Sequence, residues 1–472
     1  MAIVAASLTI VMATLAGLPL ALLLRVESSR SKGRAANVCA ICAEGFLFGL
    51  GFLTLLLLLL SVMHVAWSRA TLLIPAAIVV MIAAILQRRG ARAHVAVETQ
   101  VERATPLTPL QRVVSMLAYA AAAASMIGYA LYATIAPLWE FDFLSDWGLK
   151  ARVFFESGGV DWRFLEQAFH QNVHPDYPLL LPLSYDVVAI VRGAWDDRGI
   201  GLLNVAFALA LLAAAHRAFR DSTTSPMYVA LGTFAMVSLV ASPWIGIGEA
   251  PLIAFGTTAL LRIREGVQHA SMRSITAGAL FLGLAAFVKN EGLTLIAAAA
   301  IGLIAAGAWR MVPRLWPAAA IALPWLVLRA GHSLATDIAS GSLIARIGEH
   351  LRNPAPLIIA LTEYPGGKPL LWLGVGLAVV ATSRELARRE RFALTALAVQ
   401  FTCYIAAYLA TPHDIEWHVK WSWERIVSHL MPMLVIVLLA TLFRVIGERG
   451  EGANTIDEQT SPIVRDELQA EC

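Results

Sequence analysis

The chain has 472 residues, 58% of them hydrophobic and 15% charged, with a mean hydropathy of +0.69. A soluble globule is about half apolar and about a quarter charged, so this composition excludes an ordinary soluble domain. The net charge of +3 is small. Lys and Arg fall in short clusters between apolar runs, a pattern of membrane topology signals rather than of a nucleic-acid surface.

A helix needs about 20 apolar residues to cross a hydrocarbon core roughly 30 Å thick. Many segments meet or approach that length, so the expected class is all-α: a polytopic transmembrane protein of about thirteen spans. The first span, 2–24, has no basic residue before it and Arg25, Arg30, Lys32 and Arg34 after it. That order marks a retained span rather than a cleaved signal peptide. Spans at 38–63 and 70–86 follow. Cys39 and Cys42 have CxxC spacing inside an apolar helix, Cys403 lies in a later apolar run and Cys472 ends the chain. They read as packing residues, and nothing demands a disulfide. The linker 87–112, charged and carrying Pro106 and Pro109, reads as a cytoplasmic loop.

A span at 113–136 leads into a polar island, Trp139 to Pro178, dense in Asp, Glu, His and Trp. Ionisable groups at a membrane face are costly unless solvated, paired or used. Within it, WGLKARVFFESGG predicts a short amphipathic helix with Trp147, Ala151 and Phe154 or Phe155 on one side, suited to the headgroup layer. In HPDYP, Pro175 and Pro178 stiffen the residues before them, which sets His174, Asp176 and Tyr177 on a rigid loop.

Segment 178–194 holds two prolines, an Asp and an Arg, and is read as interfacial or re-entrant. Spans then follow near 200–216, 226–244, 249–263, 274–288, 292–308, 315–331, 370–383, 392–410 and 426–443. With 178–194 not crossing, the basic clusters after 24, 86, 216, 261, 309, 383 and 443 fall on one side. The N-terminus is then outside and the C-terminus inside. Outside lie the island, Glu249, the turn at 289–292, a loop from about 332 to 369, and a loop at 411–425. The tail 444–472, rich in Glu and Asp, is expected to be disordered.

Two runs, DFLSDWGLKA at 142–151 and HPDYPLLLPL at 174–183, resemble membrane glycosyltransferases of the GT-C superfamily. The likeness is to the protein O-mannosyltransferase and aminoarabinose transferase families and their bacterial relatives. Three weaker matches keep the expected order: GIGEAPLIAF at 246–255, FVKNEGL at 287–293 and ERIVSHLMP at 424–432. The resemblance spans 113–443, with the outer loop at 137–199. Residues 1–112 then add N-terminal helices and a linker.

What the resemblance implies is transfer of a sugar from a polyprenyl-phosphate donor to an acceptor hydroxyl, on the outer face and with inversion. The acceptor would be an envelope glycan, lipid or protein, and the location a bacterial inner membrane with the site facing the periplasm. Asp142 matches the catalytic Asp and takes the base role; Asp146 is the second choice. Glu249 matches a second outer carboxylate, here Glu where Asp is usual. Arg425 is the main donor-phosphate ligand, with Lys289 and Lys368 as further candidates. Trp147, Lys150, His174, Asp176, Tyr177 and Glu291 complete the expected substrate site. For Lys289, a structural pair with Glu291 stands as the alternative, and for His174 a loop-bracing hydrogen bond.

No cofactor is expected. A divalent metal near His413, Asp414, Glu416 and His418 is the minor reading, since their spacing matches no defined site. Two rival functions remain at this stage: a transporter or flippase of a lipid-linked or anionic solute, and an envelope polysaccharide polymerase or ligase. Charges clustered at span ends, without internal symmetry, disfavour the transporter.

Overall fold

The computed structural model describes residues 1–25, 34–90, 107–135, 137–167, 173–336, 342–364 and 369–447. Lys368, residues 91–106 of the linker and residues 448–472 of the tail lie outside that set. Among the described residues, the regular elements are all helical. A helix satisfies its own backbone hydrogen bonds, which lipid cannot do.

The N-terminal part comprises α1 (Ala2–Leu23), α2 (Arg34–Val62), α3 (Arg69–Gly90) and α4 (Pro109–Ile135). The island holds a π-helical turn, Phe143–Trp147, then α5 (Gly148–Ser157), α6 (Trp162–Glu166) and α7 (Leu180–Arg192). The bundle continues with α8 (Asp197–Ser222), α9 (Pro226–Val240), α10 (Glu249–His269), α11 (Met272–Val288), α12 (Glu291–Ala305) and α13 (Trp316–Gly331). It ends with α14 (Leu343–Arg352), α15 (Ala355–Glu363), α16 (Pro369–Arg389), α17 (Arg391–Leu409), α18 (Ile415–Ser428) and α19 (431–447).

Seven helical stretches are long and apolar enough to cross a membrane, consistent with an integral membrane protein. They are Ala2–Leu23, Asn37–Val62, Pro109–Ile135, Asp197–Ser222, Trp309–Gly331, Arg391–Leu409 and Ile415–Gly447. Apolar but shorter are Arg69–Ile82, Pro226–Val240, Met272–Val288 and Glu291–Ala305. The 21-residue α10 carries Arg262, Arg264 and Glu265 in its last turns, yet at 1.5 Å per residue it is about 30 Å long.

Close backbone packing joins α1 to α2. A Cβ on Gly17 would lie 2.0 Å from the Gly45 carbonyl oxygen, and one on Gly49 would lie 1.7 Å from that of Ala13. Without side chains, the two helices approach as small-residue membrane pairs do. Glycines in the left-handed region, Gly158 (φ 68°) and Gly193 (φ 82°), terminate α5 and α7 because they bear no Cβ penalty there.

Several local expectations change. The segment read as interfacial or re-entrant is α7, and Leu180 through Ile190 are all buried against α1, α2 and α5. Its 13 residues reach only about 20 Å, so it is an internal helix too short to cross. The helix α5 forms as expected, but Trp147, Ala151 and Phe154 are buried in protein rather than set in headgroups. The 411–425 segment is not a loop: α18 starts at Ile415, and the Asp414 carboxylate caps it by accepting from the Trp417 amide. The 332–369 loop contains α14 and α15. Cys39 and Cys42 are free and exposed on α2 rather than packed inside.

One end of the bundle is strongly ionic. Arg262 donates to the Leu24 carbonyl at the end of α1 (2.7 Å), and Arg217 of α8 pairs with Glu265 of α10 (2.7 Å). Arg264 of α10 grips both carboxylate oxygens of Glu390, just before α17. The end of α1 and the Arg217, Arg262 and Arg264 clusters thus share one end, as they must if α7 does not cross. Helix α10 runs from this basic end to Glu249 at the island end.

Candidate functional site

Asp142 stands at the start of the π-helical turn, seven positions beyond the last residue of α4 (Ile135). Single π-turns are often found where a helix is bent to aim side chains. Its carboxylate meets Nη1 of Arg425 on α18 at 2.7 Å. The other edge of the guanidinium, Nε and Nη2, donates to Oε1 of Glu249 at 2.9 and 2.8 Å. Glu249 opens α10, and its Oε1 also takes the Lys289 ammonium at 3.2 Å. Lys289 reaches Glu291 at 3.0 Å. A continuous ionic chain therefore runs Asp142, Arg425, Glu249, Lys289, Glu291.

Exposure is lowest in the middle of that chain and higher at both ends, where Glu291 is 20% exposed. The side chains of Asp142 and Arg425 are 34% and 23% exposed, while that of Glu249 is 1% exposed. The more accessible end is thus an acid–base pair, and the buried middle, Glu249 and Lys289, fixes it in place. Three carboxylates face two cations, so the chain carries a spare negative charge when fully ionised.

A second assembly lies beside it. Lys150 on α5 is fully buried and pairs with Asp146 at 2.6 Å, and it donates to the His174 carbonyl at 2.9 Å. The backbone of His174 therefore braces the loop. Its ring stacks on Tyr177 (centroids 4.8 Å apart), which in turn stacks on Trp147 at 5.5 Å. Lys150 lies 5.3 Å from the Trp147 ring centre and Lys289 lies 5.9 Å from that of Tyr177, so both ammonium groups gain cation–π stabilisation. Asp176 accepts from Asn290 at 2.9 Å and faces Arg329 at 3.7 Å. Burial raises its pKa, opposed by Arg329 and the Asn290 hydrogen bond.

The structure thus brings Asp142, Glu249, Glu291, Lys289 and Arg425 into one chain, with Asp146, Trp147, Lys150, His174, Asp176 and Tyr177 beside it. Glu249 touches Arg425 rather than Asp142, so it positions Asp142 only through the arginine. Asp146 is closed off from solvent, and Lys289 is held by two glutamates. Lys368 lies outside the described residues. Supporting residues that the sequence reading did not single out are Asn290, Arg329, Gln400, Tyr404 and His429. Gln400 donates to the Glu291 carbonyl (3.1 Å), and the Tyr404 hydroxyl bonds to Nδ1 of His429 (3.1 Å). Asn290 lies inside the FVKNEGL run and His429 inside ERIVSHLMP; Arg329, Gln400 and Tyr404 carry no local sequence signal.

Among the described residues, no group of three or more His, Cys, Asp or Glu is placed to hold a metal ion. Asp414 caps α18, and His418 bonds to the Thr411 hydroxyl at 2.8 Å.

Gly248 tests the tightness of this packing. A Cβ there would fall 2.7 Å from Cδ of Lys289 and 3.1 Å from Cζ2 of Trp147. Both side chains are buried, so neither swings clear without cost. Gly248→Ala is expected to destabilise the protein by about 1–3 kcal/mol. Thermal unfolding in detergent checks this; an unchanged midpoint would mean that Lys289 has room to shift.

Asp146 carries a pH signature. Burial raises its pKa from the ordinary 3.8 to about 6, although Lys150 pulls the other way. The folded state holds this proton more tightly than the unfolded state. Its contribution is therefore full below about pH 4 and is lost as pH rises through about 6. The unfolding midpoint of the wild type, relative to Asp146→Asn, should fall across that window. Parallel curves for the two proteins would contradict the assignment.

The chain matches no family model, no curated protein and no solved structure.

Proposed function

We propose that this protein is a membrane glycosyltransferase that moves a sugar from a polyprenyl-phosphate donor to an acceptor hydroxyl on the extracytoplasmic face, with inversion. The observation that carries the reading is the pair at the exposed end of the ionic chain: a solvent-reached carboxylate, Asp142, 2.7 Å from a buried-anchored guanidinium, Arg425. Such a pair supplies what the reaction needs. The carboxylate accepts the proton of the acceptor hydroxyl. The acceptor oxygen bonds to the anomeric carbon as the carbon–oxygen bond to phosphate breaks, and the electron pair leaves with the phosphate. The guanidinium offsets the charge that builds there.

Glu249 supports this arrangement. By holding the Nε–Nη2 edge of Arg425, it leaves the Nη1 edge turned to Asp142. An arriving phosphate competes for that edge and releases the carboxylate to act as base. The expected polytopic build of about thirteen spans, with the island outside, suits a donor whose tail stays in lipid.

The test is mass spectrometry of envelope glycans and glycolipids from a deletion strain with and without the wild-type gene. A loss of one sugar in the deletion strain, restored by the gene, supports the transferase. A ladder of lost repeat units would point to a polymerase or ligase instead, and identical spectra would remove the reading.

A further inference from the structure

At the basic end of the bundle, remote from Asp142, a cavity of about 610 Å³ opens beside the last turns of α8 and α10 and the start of α17. Five arginines line it: Arg264, Arg388, Arg389, Arg391 and Arg444. The carboxylates on its wall are Asp221 and Glu390. Glu390 is buried and already occupied, with both oxygens taken by Arg264. Arg388 and Arg389 both lean on Glu385 of their own helix, at 3.9 and 2.8 Å. Among the described residues, and counting Glu385 as well, cations outnumber carboxylates around the void.

Guanidinium groups gathered around a space repel one another unless an anion fills it. The start of α17 adds to the field, because the first amides of a helix lack intrahelical acceptors and carry partial positive charge. Arginine forks match phosphate oxygens in two-point geometry. The wall is not purely polar: Val267, Ala306 and Phe392 contribute an apolar side. A phosphate joined to a hydrocarbon fits both surfaces, as in basic pockets between membrane helices that take lipid headgroups.

We propose that this cavity binds the phosphate headgroup of an anionic phospholipid, in the leaflet opposite the Asp142 site. The inference does not depend on the transferase reading, since none of these residues belongs to the ionic chain at the island end.

The test uses the full-length protein in detergent and native mass spectrometry. Phosphatidylglycerol and phosphatidylcholine are added in equal amounts, and inorganic phosphate is titrated in a separate arm. Retention of phosphatidylglycerol should exceed that of phosphatidylcholine on the wild type. It should fall about ten-fold or more in Arg388→Gln/Arg391→Gln, which removes two charge-assisted contacts. Arg388→Lys/Arg391→Lys should recover part of it. Arg152→Gln/Arg163→Gln, exposed changes on α5 and α6 that remove the same two charges, should leave it unaltered and control for net charge. Equal retention in wild type and the glutamine variant would overturn the proposal, as would equal retention of both lipids. Displacement of phosphatidylglycerol by millimolar phosphate alone would overturn the lipid assignment in favour of a soluble phosphate.

Discussion

Asp142→Asn should stay folded and membrane-inserted while sugar transfer drops by about two to four orders of magnitude. The amide keeps the shape of the carboxylate but does not accept the acceptor proton. Folding should survive because Asp142 is at the exposed end of the ionic chain, and Arg425 keeps two contacts to Glu249. Purified protein, a lipid-linked sugar and detection of the mass increment on the acceptor give the measurement. Turnover at the wild-type rate would remove Asp142 as the base. Loss of transfer together with loss of folded protein would instead make Asp142 a structural partner of Arg425, and the pairing of a folding assay with the rate distinguishes the two.

Lys289→Met should have the largest effect on stability. The ammonium is buried between Glu249 and Glu291, at 3.2 and 3.0 Å. Breaking a buried ion pair from one side strands the charge of the other, at a cost of about 3–5 kcal/mol. The double variant Lys289→Met/Glu291→Leu removes one stranded carboxylate and should recover part of that loss. Thermal unfolding midpoints of the two variants in detergent decide the matter. If the single variant unfolds with the wild type, Lys289 is not holding the glutamates. If the double variant is less stable than the single one, Glu291 has a stabilising role apart from the lysine.

The class of fold was legible because lipid imposes one rule: long apolar runs become helices. The finer elements were less so, for physical reasons that the residues show. Helix α18 was read as a loop because its charges and tryptophans hide the pattern. Its buried positions, Ile415, Val419, Trp423 and Val427, nonetheless fall every fourth residue, so the period was present while the apolar run was not. Helix α7 reads as interfacial or re-entrant because Asp186, Arg192 and two prolines argue against a span. The burial of Leu180 through Ile190 depends on α1, α2 and α5 arriving around it, which local sequence does not encode. Within the site, Asp142 and Arg425 could each be picked out by their motifs. That Arg425 also bridges to Glu249, and Glu249 to Lys289, depends on helix ends meeting in space. The same is true of the support from Gln400 and Tyr404, which sit on the apolar helix α17 with nothing nearby in sequence to mark them, whereas His429 lies within the ERIVSHLMP run.

The ionic chain also sets an order on biosynthesis. Arg425 lies 176 positions after Glu249, whereas Lys289 lies only 40 after it. As the ribosome advances, Glu249 meets its lysine long before its arginine exists. The Glu249–Lys289 pair is itself neutral and lets α10 and α11 dock early, sparing the membrane a lone carboxylate. Asp142, more exposed, can wait in water. Arg425 closes the circuit last, and a nascent chain cut before α18 would keep most of its helices yet never assemble the Asp142–Arg425 pair.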